Sequence, residues 1–134
     1  VTPVVPKVCQ QTKWRRGDDA PVLELRPTPD LLKGCSQRAR GDQTLVGFAL
    51  EPDETLVSSA LRKLERKDID FIVANPLETM DADRIAATIY ARGGEAIAST
   101  DGPISKQTFA TWLLDQLESA SAVTLRECRS SHGT

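Results

Sequence analysis

Histidine and aromatic residues are few in this chain, and the near-absence of histidine removes a class of chemistry. The single histidine, His132, lies in a polar Ser-Ser-His-Gly-Thr run. A serine or cysteine nucleophile partnered by histidine therefore has almost nothing to build on. The three cysteines, Cys9, Cys35 and Cys128, are an odd number without CxxC spacing, which argues against a disulfide framework and a zinc site. No apolar run approaches the ~20 residues of a membrane span. Residues 1–6 lack the charged region and apolar core of a signal peptide. The net charge of −2 gives no overall field that would attract nucleic acid. No GxGxxG run is present, which removes the main support for a dinucleotide oxidoreductase. Any enzyme built from this chain works by electrostatics and positioning, within a single domain or part of one.

What is present is a clear change of period between residues 44 and 75. Thr44-Leu45-Val46-Gly47-Phe48-Ala49 is a short apolar run bounded by polar residues, the pattern of a strand buried on both faces. From Glu54 the spacing becomes helical, with Leu56, Val57, Ala60, Leu61 and Leu64 on one stripe and Arg62, Lys63, Glu65, Arg66 and Lys67 mostly facing away. Acids at the start of this helix and bases at its end suit the macrodipole. Asp70-Phe71-Ile72-Val73-Ala74 predicts a second buried strand. Strand, helix and strand make a βαβ unit with parallel strands. Ligands of such sheets bind beyond the strands' carboxyl ends. Here those ends carry Phe48 and Asn75, which read either as core and turn residues or as a nucleobase or sugar site.

Lys7, Lys13, Arg15 and Arg16 form a basic patch around Trp14, either a solvated loop or a flap that neutralises phosphate. Residues 22–25 predict a strand. Thr28-Pro29-Asp30 then predicts a helix start with Thr28 as N-cap and Leu31, Leu32 and Cys35 on its apolar face. Arg40-Gly41-Asp42 spells an integrin tripeptide and reads as a chance turn. Asp81 and Asp83 are spaced to hold a cation such as Mg²⁺, or simply form a surface turn. Residues 84–90 and 95–99 around Gly93-Gly94 predict a hairpin. Ser105 caps a last helix made amphipathic by Phe109, Trp112, Leu113, Gln116, Leu117 and Ala120, followed by a loosely ordered polar tail over 121–134. The expected fold is a three-layer α/β/α sandwich, Rossmann-like, with a mostly parallel sheet and an antiparallel edge hairpin.

Residues 46–51, VGFALE, and 60–75, ALRKLERKDIDFIVAN, resemble the phosphopantothenoylcysteine synthetase family, the second half of the bifunctional coenzyme A biosynthesis flavoprotein. Lys13-Trp14-Arg15-Arg16 resembles that family's KIKK stretch, residues 23–32 its LELVPTPDIL stretch, and Ile104-Ser105-Lys106 its MSKEEVA-type helix. The resemblance spans residues 13–118 and makes residues 1–120 the C-terminal part of a synthetase-like domain, with 1–21 as basic flap and loop. It implies a cytoplasmic, homodimeric ligase acting on small molecules, with no nucleic acid or membrane partner. Phosphopantothenate attacks CTP to give an acyl cytidylate, and cysteine then displaces CMP. It implies Mg²⁺ with the nucleotide, and FMN only where an upstream decarboxylase domain is attached. It implies Lys13 as the catalytic cation, and Phe48, Asn75, Lys63 and Lys67 as nucleotide-binding. Pro76 stands where the family has aspartate, and Leu50 and Pro52 where FAAET has alanine and threonine. The family's glycine-rich first half has no counterpart here. The expectation is thus half a synthetase domain cut from something longer, with a non-catalytic nucleotide-binding or dimerisation module as the alternative.

Overall fold

The computed structural model describes residues 3–9, 11–13 and 22–130, with the backbone course alone for 122–130. It divides into two compact units, Val1–Leu31 and Leu32–Thr134. In the first, β1 (Val4–Pro6) pairs antiparallel with β2 (Leu25–Pro27), so that Val5 faces Arg26. Lys7 closes one end of this ladder, its N–H donating to the Glu24 carbonyl at 2.8 Å. At the other end the Thr28 N–H and hydroxyl both donate to the Pro3 carbonyl, at 3.0 and 3.1 Å. Thr28 is therefore not the expected helix cap: α1 (Leu31–Ser36) starts three residues later, and the threonine hydroxyl is committed to the strand pair. The strand expected over 22–25 begins only at Leu25, because the ladder is three residues long and leaves Val22 and Leu23 exposed. Cys35 is exposed, leaving Leu32 as the α1 residue packed into the core of the second unit.

The second unit is built on the expected βαβ motif. β3 (Val46–Glu51), α2 (Asp53–Lys67) and β4 (Phe71–Pro76) follow one another, and β3 and β4 are parallel with Phe48 opposite Val73 and Leu50 opposite Asn75. α2 carries Asp53 and Glu54 in its first turn and Arg66 and Lys67 in its last, as the dipole favours. It stops at Asp68, which takes the left-handed conformation (φ 52°), while the Ile69 N–H returns to the Leu64 carbonyl at 3.4 Å. After a short 3₁₀ turn (Leu77–Thr79) come β5 (Arg84–Ile85), β6 (Thr88–Ala91), β7 (Ala96–Ser99), β8 (Ile104–Ser105) and α3 (Lys106–Ser130). The main sheet has the order β3-β4-β6-β7, with β6 antiparallel to β4 and β7 antiparallel to β6. It is a mixed sheet in which the hairpin adds the antiparallel strands. The hairpin's first arm is shorter than expected, because β5 leaves the main sheet to pair with β8. Gly93 and Gly94 make its turn, both with positive φ (98° and 90°) that glycine adopts freely.

Side-chain alternation splits the core into two layers. On one face Ala49, Ile72 and Ala74 pack with Leu56, Ala60 and Leu64 of α2. On the other Phe71, Val73 and Ile89 pack with Ile85, Ala87 and Phe109, and Trp112, Leu113 and Leu117 of α3 cover them. The α3 stripe is as expected, and Leu114, on the outer side, is exposed. Two readings need correction. Val57 is exposed at the margin of the α2 stripe. β3 is not buried on both faces: it stands at the edge of the described sheet and leaves Phe48 exposed. The helix also runs on to Ser130 through the first part of the expected tail, where Ala120, Ala122 and Leu125 favour helix.

Candidate functional site

The carboxyl ends of β3 and β4 hold the residues with chemistry to offer. Gly47, Ala49 and Glu51 point to the α2 side, and Phe48 and Leu50 to the other, where Val73 and Asn75 also lie. Phe48 is 58% exposed although its neighbours Gly47 and Ala49 are buried. Asn75 is only 7% exposed. Its Nδ2 donates to Thr79 Oγ1 at 3.1 Å, and Thr79 Oγ1 donates to the Pro76 carbonyl at 2.7 Å. Asn75 Oδ1 has no hydrogen-bond partner among the described residues, and no unpartnered side-chain oxygen or nitrogen there is sealed from solvent. An uncovered aromatic ring and an open amide oxygen thus share one face, separated by roughly 6–7 Å of strand rise.

The loop beyond Asn75 is held at its far end. The Lys106 N–H donates to the Asp83 carbonyl at 3.1 Å, and Lys106 Nζ reaches the Met80 carbonyl at 3.4 Å. Ser105 caps α3 as expected, its Oγ accepting the Thr108 N–H at 3.0 Å. Asp81 and Asp83 are exposed on this loop, and no group of three or more acidic, histidine or cysteine side chains is set to hold a metal among the described residues. The described residues thus form no cage of protein ligands that would hold Mg²⁺ unaided.

Lys63 and Lys67 lie apart from Phe48 and Asn75. Lys63 is on the α2 side of the sheet, with Nζ 2.6 Å from Glu51 Oε1, which also accepts the Ser59 hydroxyl at 3.2 Å. The hydrogen bond from Lys63 and its positive charge hold the Glu51 carboxyl below the usual carboxylate range against the effect of burial. A phosphate that recruited Lys63 would have to compete with this carboxylate. Lys67 is half-buried in the last turn of α2, the end nearer the strands' amino ends. Lys13 is exposed and belongs to the first unit. Arg15, Arg16 and Trp14 lie outside the described residues. Glu51 and Thr79 were not legible as site residues. The only signals were a carboxylate closing a strand with a lysine 12 residues on, and a hydroxyl four residues after the asparagine.

These features define an α/β protein with helices on both faces of a mixed sheet and its polar apparatus at the carboxyl ends of the parallel pair. The DNA/pantothenate metabolism flavoprotein C-terminal domain family matches residues 1–120, and the chain belongs to this family of phosphopantothenoylcysteine synthetases. The coenzyme A biosynthesis bifunctional protein CoaBC of Bacillus subtilis (strain 168) is 34% identical over 98 residues, 70% of this chain and 24% of that protein. A cysteine/cysteine sulfinic acid decarboxylase from an unknown prokaryotic organism is 38% identical over 78 residues, 58% of this chain and 21% of that protein. The crystal structure of the C-terminal domain of a CoaBC is similar with a TM-score of 0.65 at 27% identity, over 91% of this chain and 51% of that one. The chain thus spans less than a quarter of these curated relatives and about half of the solved domain.

Proposed function

We propose that the chain is part of a phosphopantothenate–cysteine ligase and carries its nucleotide-handling edge. In this reading the phosphopantothenate carboxylate attacks the α-phosphate of CTP, pyrophosphate leaves, and the amine of cysteine then displaces CMP from the acyl cytidylate. Two anions must meet in the first step, so cations lower its barrier by offsetting repulsion and developing charge. Lys13 is assigned that role, Lys63 and Lys67 the nucleotide phosphates, Phe48 the base or ribose face, and Asn75 a polar edge. Mg²⁺ enters with the triphosphate, and FMN belongs only to an attached upstream domain. A homodimer in the cytoplasm is part of the same proposal. Among the described residues no helix is long and apolar enough to cross a membrane.

The observation that carries the reading is Phe48, more than half exposed between two buried residues and on the same sheet face as an amide oxygen that has no partner among the described residues. Family membership and the CoaBC relatives support it. Calorimetric titration of this chain with Mg·CTP, with Mg·ATP as control, tests it. Selective CTP binding that weakens in Phe48→Ala is expected, and binding of neither nucleotide would sink the assignment of the site to this chain.

The second reading is a non-catalytic nucleotide-binding or dimerisation module. It is favoured by the engagement of Lys63 with Glu51 and by proline at 52 and 76. Incubation with phosphopantothenate, cysteine and CTP separates the two: pyrophosphate release supports the ligase, and CTP binding without turnover supports the module.

A further inference from the structure

We infer that Thr79 is a positioning residue that fixes the hydrogen-bonding sense of Asn75, so that this site accepts a hydrogen bond from an amino-bearing base and turns away its carbonyl analogue. The inference rests on the nucleotide reading above and deepens it. Its starting point is the proton of the Thr79 hydroxyl. That proton goes to the Pro76 carbonyl at 2.7 Å, and a carbonyl oxygen can only accept. Thr79 Oγ1 is left with lone pairs, so the amide atom facing it at 3.1 Å must be a donor. The Asn75 amide is thereby held with its NH₂ inward and its oxygen outward. Either sense is open to a free asparagine, which carries both a donor and an acceptor at its tip. Here a hydroxyl four residues away selects one.

The selection is held by the surroundings. Asn75 is 7% exposed, so water competes little for its inward NH₂ group. Thr79 closes a 3₁₀ turn directly after β4, and Lys106 pins the loop beyond it at the carbonyls of Met80 and Asp83. The open Oδ1 lies on the same face of the sheet as the Phe48 ring. In this reading a pyrimidine stacks on that ring with its 4-position at the amide. Cytosine carries a donating amine at that position and uracil an accepting carbonyl, while the two rings have nearly the same size and shape. Uracil in this pose sets two acceptors against each other.

The test is the ratio of affinities for Mg·CTP and Mg·UTP in this chain, in Thr79→Val and in Thr79→Ser. Valine keeps the shape but has no hydroxyl, which frees the amide to turn. The ratio is expected to fall about tenfold in the valine variant, the order of one neutral hydrogen bond made or left unmade. Serine retains the hydroxyl and is expected to retain the ratio. A merely structural Thr79 would weaken both nucleotides together and leave the ratio unchanged, so an unchanged ratio with CTP still bound overturns the inference and leaves the nucleotide site standing. Loss of selectivity in the serine variant also overturns it, and does so even if the valine variant fails to fold. Failure of this chain to bind either pyrimidine nucleotide overturns both readings. Titration with 2′-deoxy-CTP separates the base from the sugar: an undiminished CTP-over-UTP preference in the deoxy series supports the base amine as donor, and its disappearance overturns that assignment.

Discussion

Lys63 Nζ lies 2.6 Å from Glu51 Oε1, a contact that ties the third turn of α2 to the carboxyl end of β3 across 12 residues of sequence. Both side chains are largely shielded, at 28% and 20% exposure, so the pair is less screened than an open surface bridge. It is the main cause of the lowered Glu51 pKa.

The sign of the pH effect follows. A carboxyl held below its ordinary value of 4.5 contributes stability above that pH and loses it as the pH falls through its folded value. Lys63→Met is expected to cost about 1 kcal/mol at pH 7. In urea unfolding the gap between this variant and the parent chain should narrow progressively as the pH falls below 4.5. A gap that did not narrow at all as the pH fell below 4.5 would assign the cost to the lysine stem instead.

Gly47→Ala should destabilise the chain without touching the site. A Cβ there would lie 2.7 Å from Ile69 Cδ1 and 3.2 Å from Leu32 Cδ2, and Ile69 is fully buried. Overpacking of this kind costs ~1–3 kcal/mol. A lowered urea midpoint with an unchanged slope is the expected result, and a midpoint equal to the parent's would show that Ile69 repacks freely.

Phe48→Ala should do the reverse. The ring is exposed and contributes little to folding, so thermal stability should change by no more than about 0.5 kcal/mol. CTP affinity should fall about tenfold, within the range of base–aromatic stacking. A large loss of stability with unchanged affinity would make Phe48 a structural residue.

Ser105→Ala removes the oxygen that accepts the Thr108 N–H at the start of α3. The expected cost is ~1 kcal/mol, the usual worth of such a cap. Circular dichroism melts should show it, with rescue by Ser105→Asp.

The βαβ motif was legible because its period changes sharply at Glu54 and because its second strand is apolar from Phe71 to Ala74. Residues on α3 were legible for the same reason. What periodicity does not carry is which strand lies at an edge. In a run of apolar residues Phe48 reads equally as core or as a ligand contact, and only the position of β3 in the sheet leaves it uncovered. Thr28 fits a helix start by type, yet its hydroxyl is drawn to Pro3, 25 residues away. Arg84 and Ile85 look continuous with β6 until the antiparallel partner at 104–105 draws them into another sheet. The pairing of Glu51 with Lys63 was hidden because a lysine on a helix with several basic neighbours gives no sign of which one turns toward a strand. Asn75 was legible as a candidate; the sense of its amide was not, since that depends on where one hydroxyl proton goes.

The alternation that places Phe48 and Asn75 on one side of the sheet, and the Glu51–Lys63 pair on the other, also sets how this region tolerates changes in length. A substitution at Val73 or Ala74 alters packing and leaves every neighbour on its own face. Deleting one residue between Phe71 and Asn75 turns the asparagine toward α2 and exchanges the two environments. Insertions and deletions across β3 and β4 should therefore be tolerated far less readily than substitutions, with two-residue changes less harmful to the face pattern than single ones.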